Sequence, residues 1–66
     1  MNTKIKKSIR SFNEEIEAMT IICNIQAMQN KIYGESFQYD QFNGNTLDEL
    51  RNLQDSLIPL YNNSLK

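Results

Sequence analysis

A chain of 66 residues with one cysteine and no histidine excludes an internal disulfide and leaves a structural zinc site almost without ligands. A domain of this size buries only roughly 60% of its unfolded surface, so association with a partner is its remaining route to stability. The formal net charge of −1 conceals an asymmetry: Lys4, Lys6, Lys7 and Arg10 precede every acidic residue, and the remainder holds three basic against eight acidic residues.

The first element is a helix from about Thr3 to Tyr33. At ~100° per residue, Ile5, Ile9, Phe12, Ile16, Met19, Cys23 and Ala27 share one side. Ile21, Ile25, Met28 and Ile32 lie nearly opposite, with Ile22 between. Two stripes imply two neighbours for one helix. Ser11-Phe12-Asn13-Glu14 fits a capping box, which offers a break there. The apolar phase nevertheless continues through Ser11, so an unbroken helix is expected. Cys23 reads as an inert buried thiol. Lys31 and Gly34 supply the stop, a cation at the negative end and a residue free to take positive φ.

Residues 34–45 form the connection. Phe37, Tyr39 and Phe42, with Tyr33 before them, gather four of the six aromatic residues there, and Asn43-Gly44 is a turn signal. A short helical turn capped by Ser36 and an extended path fit the pattern about equally. The aromatic residues either close the end of a helical pair, with Phe37 and Phe42 over Ile32 and Leu47, or present Tyr39 and a neighbour as anchors for a partner. Thr46-Leu47-Asp48-Glu49 is a second capping box, opening a helix over about 47–65. Leu47, Leu50, Leu53, Leu57, Leu60, Tyr61 and Leu65 share its apolar side. Pro59 falls on the polar side and predicts a kink rather than a stop.

These elements predict an all-α fold in one domain, 1–66: a two-helix antiparallel hairpin with a long first helix, completed by dimerisation into a helical bundle. The first helix overhangs the second, and leaving Ile5, Ile9 and Phe12 in water forgoes roughly 1.5–3 kcal/mol each. A second copy is the simplest cover. An antiparallel pair centred near Asn13 sets the basic block of each chain beside Glu14, Glu15 and Glu17 of the other.

Little in the chain carries chemistry. Without histidine, a Cys23 nucleophile lacks its usual base. Glu14, Glu15 and Glu17 read as a solvated face rather than metal ligands, and there is no glycine-rich phosphate loop. No catalytic residue, cofactor or metal is expected, and the chain is not read as an enzyme. No apolar run spans a bilayer, and Met1–Arg10 lacks the core of a signal peptide, so no membrane role and a cytoplasmic location are expected. The abundance of Asn, Ile and Lys points to an AT-rich genome.

Ser8-Ile9-Arg10-Ser11-Phe12, followed by Ile16 and Met19, resembles the first helix of the cyanobacterial phycobilisome-degradation adaptors over about a dozen residues. The second half departs from that pattern. In outline, a dimerising helix pair is also similar to the plasmid copy-number RNA-binding hairpin, without a shared residue pattern. Neither likeness assigns a family.

The functional expectation is a non-enzymatic protein-binding module: a small helical regulator or inhibitor, of phage or mobile-element type, occluding a larger protein and forming a homodimer. Ile5, Ile9, Phe12, Ile16, Met19, Phe37, Tyr39 and Phe42 are its candidate interaction residues. The alternative is a nucleic-acid-binding helical dimer using Lys4, Lys6, Lys7 and Arg10.

Overall fold

The computed structural model describes residues 9–65. Among them are two α-helices, α1 (Phe12–Tyr33) and α2 (Leu47–Ser64), a 3₁₀ turn over Tyr39–Phe42, and no strand. The all-α expectation holds. Lys4, Ile5, Lys6 and Lys7 lie outside the described residues, as does the part of the expected first helix that contains them.

Helix α1 does not run through Ser11. Ser11 is extended (φ −69°, ψ 170°), and its Oγ accepts from the Glu14 amide at 3.2 Å. Its own amide donates to Glu14 Oε1 at 2.9 Å. Two amides at the helix end are thereby satisfied reciprocally, and this local gain outweighs the continuity of the apolar phase. The other end is as expected: Gly34 takes φ 82° and its amide reaches the Asn30 carbonyl at 2.9 Å. Helix α2 opens on the expected box at Thr46 and Glu49 and continues past Pro59, which is exposed.

The two helices run parallel, which corrects the antiparallel hairpin. Glu17 pairs with Arg51, Asn24 Nδ2 donates to Gln54 Oε1 at 3.2 Å, and Ala27 and Met28 share a groove with Ile58 and Tyr61. Residue numbers rise together along both helices. The connection makes this possible by running back along α1. The Phe37 amide donates to Gln29 Oε1 at 3.1 Å, the Tyr39 hydroxyl donates to Glu15 at 2.6 Å, and the carbonyls of Phe42 and Asn45 lie at Arg10. Helix α1, 22 residues long, spans about 33 Å. Residues 34–46 cover that distance with extended stretches on either side of the Tyr39–Phe42 turn, at about 3.3 Å per extended residue and about 2 Å per residue within the turn. Antiparallel neighbours are usually joined by roughly 2–8 residues, so this connection is too long for a tight reversal.

The core lies where α1, the returning connection and α2 meet. Ala18, Ile22, Ile25 and Leu50 are wholly inaccessible, and Ile21, Met28, Phe42 and Leu57 complete the cluster. Parallel packing brings both positive helix N-termini to one pole. Glu14, Glu15, Asp48 and Glu49 occupy their first turns, and these carboxylates offset the repulsion between the aligned helices.

Candidate functional site

With its inner side packed on the core, α1 leaves the other stripe uncovered. Phe12 is 80% exposed, and Ile9, Ile16 and Met19 are each a little over half exposed. Along the helix the row passes into Cys23 and Ala27, both exposed. Cys23 is therefore not the buried thiol expected from its place on an apolar stripe. That stripe is the outer one. The row contains no charged side chain, and hydrogen-bonded contacts border it on both sides. Glu15, Gln26 and Gln29 hold the connection on one side, while Glu17 and Asn24 meet α2 on the other.

Two open concavities adjoin the helices near their C-terminal ends. A groove of about 440 Å³ is lined by Asn24, Ala27, Met28, Gln54, Ile58 and Tyr61. A second, of about 410 Å³, is lined by Gln29, Tyr33, Glu35, Ser36 and Phe37. Tyr33 and Ile58 are exposed apolar surface that sequence reading did not select. Tyr33 closes the last turn of α1 beside the start of the connection, and Ile58 lies on the rim of the groove between the helices.

The other candidates are placed differently. Phe37 is exposed, but Phe42 is 2% exposed and belongs to the core. Carried on the returning connection, it is buried in the cluster that α1 and α2 also build, the burial weighed for it as one alternative, and it is removed from the candidate interaction surface. Tyr39 packs half-buried against that core. Arg10, a possible nucleic-acid contact in the alternative reading, is buried. Its Nη1 donates to the carbonyls of Phe42 and Asn45 at 2.8 and 2.7 Å, and its Nε and Nη2 hold both oxygens of Glu15. A guanidinium is suited to this because its donors form a rigid planar fork. Arg10 is thus committed to the fold. The charge-set dimer register centred near Asn13 also loses its basis, since it needs Arg10 at the surface and a helix through Ser11.

The Tyr39 hydroxyl is pushed from 10.0 up to about 12, first by burial, then by its hydrogen bond to Glu15 and by that carboxylate's charge. Its neutral form is the one the fold favours. The associated stability is complete below the ordinary value and is lost as pH rises through about 12. Circular-dichroism melts between pH 9 and 12 are therefore expected to fall more steeply for the native chain than for Tyr39→Phe. At neutral pH the variant starts lower by about 1.5 kcal/mol, the lower end for a hydrogen bond to a charged group. Equal alkaline slopes would remove Tyr39 as the cause.

Among the described residues no group of three or more His, Cys, Asp or Glu is placed to hold a metal, and no helix is long and apolar enough to cross a membrane. Comparison with models of known families, with curated proteins and with solved structures found no match.

Proposed function

We propose that this chain is a non-enzymatic protein-binding module, a small cytoplasmic helical regulator that acts by docking the outer face of α1 on protein surfaces and occluding them. One observation carries the reading: Phe12, Ile16 and Met19, each more than half exposed, stand in a row on a helix whose opposite side packs on the core, and Ile9, just before that helix, is exposed as well. Fully burying such side chains is worth roughly 1.5–3 kcal/mol each, and large apolar residues dominate interface energetics. The acidic body supports a protein partner over nucleic acid, and Arg10, turned inward, supplies no phosphate contact.

The test compares capture from an extract of the source cell by the native chain and by Phe12→Asp/Ile16→Asp. Neither side chain contributes to the core, so melting temperatures are expected to agree within a few degrees while retention of specific partners drops at least tenfold. Equal retention by the two chains would end the docking-face reading.

A further inference from the structure

The exposed row has a symmetry of its own. Phe12 and Ala27 share a midpoint with Ile16 and Cys23, and that midpoint falls between Met19 and Thr20. Large side chains occupy one half of the row and small ones the other. Resting on the docking-face reading, we propose that in the free protein, before any target displaces it, the face is covered by α1 of a second copy, antiparallel about this midpoint, with Phe12 of each chain seated in the groove of the other.

Each layer of such a pair matches large to small. Phe12 meets the partner's Ala27, Ile16 meets the partner's Cys23, and Met19 lies beside its own copy on the axis. A parallel pair would crowd two Phe12 rings together and leave a gap between two Ala27 methyls. The groove is where the antiparallel register needs it. Ala27 lies on its lip, with Ile58 and Tyr61 of α2 beyond. A helical side chain leans toward its own N-terminus, which carries Phe12 past Ala27 toward that concavity. The contact is isologous, so it is made twice and closes at two chains.

Charge selects the same direction. Glu14, Glu15, Asp48 and Glu49 lie at one pole of each copy. Antiparallel pairing separates the two poles, and Glu15 and Glu17, each already paired within its own chain with Arg10 and Arg51, then face no carboxylate of the partner's α1. It also opposes the helix dipoles that each copy holds parallel. A stable interface takes roughly 800 Å² per partner, against 4750 Å² exposed by this chain. One row of side chains is a narrow strip for that area, and seating Phe12 in the groove extends the contact onto α2.

The experiment measures the native mass of the purified chain at tens of micromolar and compares it with Phe12→Asp. The expected result is a dimer for the native chain and a monomer for the variant, with unchanged helical signal. Asp at the first position of a helix is well tolerated, so loss of the dimer would not reflect loss of the fold. Direction is read from Ile16→Cys, which retains Cys23. Mild oxidation should give a covalent dimer whose peptide map shows 16–23 links. In the native chain the two Cys23 residues are offset by about 10 Å along the helices, too far for a disulfide, so no rapid cross-link is expected. A native monomer, a dimer that survives Phe12→Asp, or rapid native cross-linking through Cys23 would each overturn the proposal. A monomer that still captures a partner through Phe12 would overturn it while leaving the docking-face reading intact.

Discussion

Arg10→Met is expected to destabilise the fold by about 3 kcal/mol, the lower end for removing one member of a buried charged pair, because Glu15 keeps 29% of its side chain exposed. The guanidinium side chain is 1% exposed and joins the Phe42 carbonyl, the Asn45 carbonyl and the Glu15 carboxylate. Methionine fills similar space but donates nothing, leaving the buried Phe42 carbonyl without this donor and the part-exposed Asn45 carbonyl and Glu15 carboxylate to turn toward water. At roughly 0.05–0.15 kcal/mol per residue, a chain of 66 residues has about 3–10 kcal/mol in all. The loss is therefore about a third or more of that stability. Arg10→Lys should recover only a minor part, because an ammonium lacks the planar fork. Urea denaturation measures both. A loss below about 0.5 kcal/mol, the scale of an ordinary surface substitution, would return Arg10 to the solvent.

Phe42→Ala should cost as much or more, about 3–5 kcal/mol for truncating a buried phenylalanine. The ring is among the largest fully buried side chains and packs with Ala18, Ile22, Ile25 and Leu50. Its neighbour Phe37 lies 6.0 Å away between ring centroids, tilted by 51°, yet is about half exposed. Phe37→Ala should lose about 1 kcal/mol, comparable to one aromatic pair. The contrast tests the return path itself, because Phe42 reaches the core only if the connection runs back along α1. Equal losses at Phe37 and Phe42, measured by urea denaturation, would contradict that path.

The helices were legible in the chain because their signals are local. Thr46 with Glu49, Gly34 with Lys31, and the leucine spacing of α2 each act within a turn or two. Ser11 carried two local signals in conflict, and the hydrogen-bonded cap outweighed the phase of distant apolar residues. Helix direction was not legible. Periodicity specifies which side of a helix is apolar, and an apolar side packs equally well on a neighbour running either way. Only the length of residues 34–46 bore on it. Arg10 was misread for a related reason. Its grouping with Lys4, Lys6 and Lys7 in the chain says nothing of the carbonyls that the return path brings to it. The outer face of α1 was legible as a second stripe, whereas the groove beside Ala27 depends on which end of α2 lies there.

Parallel packing also sets the order in which the chain can fold. The contacts that join α1 to α2, Glu17 with Arg51 and Asn24 with Gln54, are separated by 34 and 30 positions, and Arg10 reaches Asn45 across 35. In an antiparallel pair the first contacts would form beside the turn, and the helices would zip from there. Here no nearby starting pair exists. The loop must close over about half the chain before any contact between the helices repays its entropy. Folding should therefore be slower than is usual for small helical proteins, whose contacts are mostly local. Isolated helix fragments would find little support in each other until residues 34–46 lie along α1.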